Sequence, residues 1–196
     1  MNTKNFTLFD RFLSKYRLSV VTKYVEKGDV ILDIGCGVQH YLLTNFKHKF
    51  KLGYGLDYDI VNQQNENLVL LNYRYQGNLP LKDDFFDKVF LLAVLEHIEI
   101  KDVVALFLEF SRILKKNGRV IITTPTLQCK PILEFIAFKF KLVADNVSDH
   151  KHYYIPNEIY DLARSSGLKV NNFKLFQLGL NSLYVLEKLH EPNFSK

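Results

Sequence analysis

The apolar positions of this chain recur at two spacings that alternate along its length, and the alternation describes an α/β protein. From Thr7 to Val25, the residues Phe9, Phe12, Leu13, Tyr16, Val20 and Tyr24 return every three or four positions, as on one face of a helix. Thr7 and Asp10 are spaced to form a capping box at its start. Val30-Ile31-Leu32-Asp33-Ile34 is a short β-branched run halted by Gly35-Cys36-Gly37, and residues 40–48 can form a helix behind it. Leu52 to Leu56, ending at Asp57, predicts a second strand, and Val69 to Tyr73 a third before the Gly77-Asn78-Leu79-Pro80 turn. Phe86 to Val94 is almost continuously apolar, as expected of a strand covered on both faces. A helix over 100–116 should stop at Asn117-Gly118, with a fifth strand over 119–124. The helix over 156–166 has Pro156 in its first turn and Gly167 after its last. Leu168 to Phe176 and Ser182 to Leu189, joined by Gln177-Leu178-Gly179-Leu180-Asn181, read as an antiparallel pair. Five strands alternating with helices predict a parallel sheet, and the hairpin at its edge brings the total to seven.

Composition narrows the class without changing that picture. The chain has 196 residues, 47% hydrophobic and 24% charged, enough for a proper core and far from collagen-like or disordered chains. No repeat or Gly/Ser-rich linker appears, so residues 1–196 are read as a single domain with a leading helix segment over 1–26. The net charge of +5 is spread along the chain without a basic block, which argues against a dedicated nucleic-acid binder. Cys36 and Cys129 stand far apart and outside any C-x-x-C pair, which fits reduced thiols in a cytoplasmic setting. Ile132 to Val143 is interrupted by Glu134, Lys139 and Lys141 and falls short of the roughly 20 apolar residues of a membrane span.

The chemistry lies at the strand ends. Gly35 and Gly37 let the backbone turn sharply and approach a ligand, and Asp57, at the end of the next strand, can accept hydrogen bonds from ribose hydroxyls. Ligands of open α/β sheets bind at those carboxyl ends, so a nucleoside cofactor is expected. A dinucleotide turn would need a third glycine where His40 stands, which counts against an NAD-dependent oxidoreductase. Asp33, two residues before the turn, does little for a pyrophosphate but suits a cofactor carrying an ammonium and a sulfonium. That points to S-adenosylmethionine as the expected cofactor.

Val30-Ile31-Leu32-Asp33-Ile34-Gly35-Cys36-Gly37 resembles the first motif of class I S-adenosylmethionine-dependent methyltransferases, the group that includes ubiquinone-biosynthesis enzymes. Gly55-Leu56-Asp57, Asn78-Leu79-Pro80-Leu81 with Phe86-Asp87-Lys88-Val89, Val94-Leu95-Glu96-His97-Ile98, and Ser111 to Arg119 resemble its later motifs in order. The resemblance implies a Rossmann-like three-layer sandwich with a mostly parallel seven-stranded sheet. It places Gly35 and Gly37 along the methionine moiety, Asp33 beneath its amino group, Asp57 at the ribose and Leu92 along the cofactor, with Cys36 and Tyr58 among the expected cofactor-binding residues. Two departures stand out. Gln39 occupies a position where the family usually has glycine, and the acidic residue often found after strand three is missing, leaving Asn78 as the substitute contact for adenine.

On the acceptor side, Asp149-His150-Lys151-His152-Tyr153-Tyr154 precedes the Pro156 helix, and His150 is the candidate general base, since histidine titrates near neutrality. A metal held by Asp149, His150 and His152 is not expected, because no sequence-distant ligand can be identified. Residues 131–155 lie where the family commonly inserts an acceptor cover; Phe135, Ile136, Phe138, Phe140 and Leu142 would suit an apolar or lipid-linked acceptor, or else core or dimer contacts. The expected function is methyl transfer from S-adenosylmethionine to a small molecule, at oxygen, with S-adenosylhomocysteine as product. A methyltransferase-like module that binds the nucleoside without turnover is the alternative, and the oligomeric state is open.

Overall fold

A computed structural model describes residues 8–129 and 150–189. Eight strands form one mixed sheet: β1 (Val30–Ile34), β2 (Leu52–Asp57), β3 (Gln63–Asn65), β4 (Leu68–Asn72), β5 (Phe86–Leu92), β6 (Leu114–Pro125), β7 (Leu168–Phe176) and β8 (Asn181–Lys188). Their order is β3-β4-β2-β1-β5-β6-β8-β7. β4, β2, β1, β5 and β6 run parallel, whereas β8 pairs antiparallel to both β6 and β7. The helices are α1 (Leu8–Val21), α2 (Tyr41–Asn45), α3 (Ile100–Ile113) and α4 (Pro156–Ser165).

The two-residue period of β1 explains the layers. Val30, Leu32 and Ile34 join a core cluster with Val103, Leu106, Phe107 and Phe110 of α3 and with Ile159 and Ala163 of α4, whereas Ile31 joins Val21, Leu42 and Leu43 in the cluster on the opposite side. Both faces of the central strands are therefore covered, which is why they read as unbroken apolar runs. Among the described residues no helix is long and apolar enough to cross a membrane.

Four expectations need correction. The sheet has eight strands, because Gln63-Gln64-Asn65 pairs antiparallel with β4 at the edge. These side chains are polar and exposed, so backbone pairing alone makes the strand and no hydrophobic period announces it. β6 begins at Leu114, not Arg119: the Leu114 side chain is buried, and its backbone aligns with Phe86 before a register shift at Lys88. Asn117, at φ 64°, lies within that irregular stretch and does not end the helix. β5 stops at Leu92, and Ala93 takes a left-handed φ of 57°. The predicted helix over 40–48 is reduced to the short α2. The Thr7–Asp10 capping box and residues 131–149 of the acceptor cover expected over 131–155 lie outside the described residues or side chains.

Segments flanking the parallel strands are tied down by specific side chains. Arg112 of α3 donates to the carbonyls of Leu79 and Leu81, and Glu109 accepts the Leu79 N–H at 2.6 Å, which fixes the segment after Asn78. The buried Lys88 ammonium of β5 lies 3.1 Å from Asp29, just before β1, and 3.4 Å from Glu26.

Candidate active site

The turn after β1 is built to be approached. Gly35 and Gly37 have φ of 71° and 69°, the left-handed region that side chains disfavour. Their surroundings differ. A Cβ on Gly35 would run into Val94, whereas one on Gly37 would meet nothing within 4 Å. Gly35 therefore permits close packing against the segment after β5, and Gly37 borders open space.

The end of β2 is locked to this turn. Gly37 N–H donates to Asp57 Oδ2 at 2.9 Å, and Asp59 N–H donates to Oδ1 at 3.0 Å. An ionised carboxylate has about four acceptor sites, so these bonds orient Asp57 and leave capacity for ribose hydroxyls. Asp33 is 4% exposed. Burial, reinforced by the negative charge of Asp57, pushes its carboxyl up to about 8. A buried acid in this setting favours a cationic ligand, which the amino acid end of S-adenosylmethionine supplies.

The remaining predicted contacts fall around this pair. Cys36 Sγ would stand 2.9 Å from a Cβ on Gly55, so the thiol fills the space between β1 and β2. Burial, with Asp33 and Asp57, pushes its pKa up, which makes it an inert filler rather than a nucleophile. Tyr58 is exposed, with the Arg74 guanidinium 4.9 Å from its ring centroid. Tyr73, whose N–H bonds the Asp57 carbonyl at 2.8 Å, donates its hydroxyl to the Asn78 carbonyl at 2.6 Å, so Asn78 is held at the same end of the sheet as Asp57. Leu92, half-buried, closes β5 immediately before the left-handed Ala93.

The chain belongs to the methyltransferase-domain family. The family profile described as a methyltransferase domain matches residues 4–172. An uncharacterized protein of Methanocaldococcus jannaschii is 28% identical over 127 residues, covering 60% of this chain and 45% of its own length. The chain thus spans less than half of that curated relative. A putative methyltransferase of Haloferax volcanii, solved in complex with the Trm112 methyltransferase activator, superposes with a TM-score of 0.69 at 18% identity over 92% of this chain and 90% of its own. CalO1, a methyltransferase of calicheamicin biosynthesis solved with S-adenosylhomocysteine bound, superposes with a TM-score of 0.66 at 14% identity over 91% of this chain and 55% of its own. In this methyltransferase-domain protein the open turn at Gly37 beside two acidic groups fits the adenosyl and amino acid ends of S-adenosylmethionine.

A second cluster gathers residues that the sequence kept apart. Glu96 and His97 form the 3-10 turn Leu95–His97 after β5, and the Lys151 N–H donates to the Glu96 carbonyl at 2.7 Å. His150 thereby comes against His97, with ring centroids 4.9 Å apart, and its Nδ1 lies 2.8 Å from the Tyr153 hydroxyl. His152 turns elsewhere, with Nε2 2.9 Å from Glu158. Glu96 is 2% exposed and accepts from the Thr124 hydroxyl at 3.2 Å; burial raises its pKa, against the opposing pull of His97, Arg17 and Thr124. Its burial had no signal in the sequence, because Thr124 and Lys151 come from distant positions. Asp149 lies outside the described residues.

Proposed function

We propose that this chain transfers the methyl group of S-adenosylmethionine to an oxygen of a small-molecule acceptor. The Asp57–Gly37 hydrogen bond carries the reading, since it sets a ribose acceptor beside the turn that would hold the methionine end. The donor is already activated, so holding acceptor and sulfonium in line supplies much of the rate, roughly 7–11 kcal/mol in favourable cases. The acceptor oxygen forms the new bond to carbon while sulfur keeps the electron pair of the bond that breaks. His150 accepts the hydroxyl proton, with Tyr153 fixing its tautomer from Nδ1. Apolar and lipid-linked acceptors are the first to test. Turnover on an acceptor panel, followed as S-adenosylhomocysteine released, checks the assignment; His150→Ala should lower kcat by about 100- to 10,000-fold. Binding of S-adenosylhomocysteine with no turnover on any acceptor would favour the binding module instead.

The likeness to the Haloferax volcanii protein supports a second reading, in which the chain works as the catalytic partner of a small activator and its acceptor is a macromolecule. Turnover that appears only when a Trm112-type protein is added would favour it.

A further inference from the structure

We infer that Glu96, His97 and His150 form a binding site for a divalent transition-metal ion at the acceptor side of the cleft. The sequence offered no ligand remote from the 149–152 segment; the fold supplies one in Glu96. One candidate donor atom from each of the three residues lies within 4.8 Å of the other two. Bonds to such an ion run about 2.0–2.2 Å, so modest side-chain rotation closes the set around it.

The donors are held as ligands are held. The two backbone segments that carry them are joined by the Lys151 N–H to Glu96 carbonyl bond at 2.7 Å. Tyr153 engages His150 Nδ1 at 2.8 Å, and Thr124 engages Glu96 Oε2 at 3.2 Å, so an imidazole and the carboxylate each have an outer partner that sets their orientation. Two imidazoles with one carboxylate suit zinc, manganese or iron(II), whereas magnesium and calcium prefer oxygen donors throughout. Three protein ligands leave positions open. The competing explanation is Arg17, whose positive charge acts on Glu96 and could answer the buried carboxylate without an ion.

On the methyl-transfer reading above, on which this step rests, an open position would take the acceptor oxygen and lower the pKa of its hydroxyl. His150 would then be a ligand, and the proton would pass to solvent.

The test uses the full chain stripped with chelator and titrated with cobalt(II), followed by its visible absorption, with zinc(II) as competitor. S-adenosylhomocysteine binding and circular dichroism are measured in parallel. One saturable equivalent of cobalt(II) is expected, displaced by zinc(II). Glu96→Gln, isosteric at the buried position, and His150→Ala, on a half-buried loop, should each weaken it by roughly 100-fold or more, since each removes one of the three ligands. Tyr153→Phe should weaken it by about 10- to 100-fold. The site is refuted if folded wild-type chain binds cobalt(II) no more tightly than the Glu96→Gln/His150→Ala double variant. Cobalt(II) binding without S-adenosylhomocysteine binding would uphold the metal site and overturn the methyl-transfer reading.

Discussion

Asp57 Oδ2 accepts the backbone N–H of Gly37 at 2.9 Å, so the carboxylate that ends one strand holds the glycine turn that ends its neighbour. The bond joins the two parts of the proposed nucleoside site before any ligand arrives. Such preorganisation reduces the ordering cost of binding.

Asp33 makes the ligand-free chain sensitive to pH. Its carboxyl, ordinarily near 3.8, is raised to about 8 by burial and by Asp57. Between those values the folded chain keeps a proton that the unfolded chain releases, so stability falls as pH rises through the window. Asp33→Asn should remove that slope. Urea unfolding at about pH 5 and about pH 8 should show the variant gaining on wild type toward the higher value, while its affinity for S-adenosylhomocysteine drops.

Gly35 and Val94 form a coupled pair. Gly35→Ala drives a methyl group into the Val94 side chain and strains a positive φ. Adding Val94→Ala should recover part of the lost stability and leave a backbone penalty of about 1–2 kcal/mol. A thermal-unfolding double-mutant cycle reads the coupling, and strictly additive effects would show that the contact is not the cause.

Lys88 is buried against Asp29 and Glu26, which stand just before β1. Removing Asp29 leaves an ammonium with a single longer contact, so Asp29→Ala should cost toward the lower end of about 3–5 kcal/mol in denaturant unfolding. Lys88→Met in the same background should return much of that loss, because it removes the stranded charge.

The sequence was most legible where function depends on neighbours along the chain. The β1 run, its glycines and Asp57 could be placed from spacing alone, since strand ends in a parallel sheet bring such residues together. β3 escaped notice because Gln63, Gln64 and Asn65 carry no hydrophobic period. The early start of β6 was masked by Leu114, whose apolar side chain continues the period of α3 equally well. The Glu96–His97–His150 cluster could not be read, because it depends on a backbone bond from Lys151 across the fold. The left-handed Ala93 had no glycine or asparagine to announce it.

Calorimetry of S-adenosylhomocysteine binding to wild type and to Asp57→Ala tests the central claim most directly. The account predicts measurable binding by wild type and a loss of roughly 1.5–3 kcal/mol in the variant, the worth of a hydrogen bond to a charged group. An unchanged dissociation constant in a folded variant, or no binding by wild type, would contradict it.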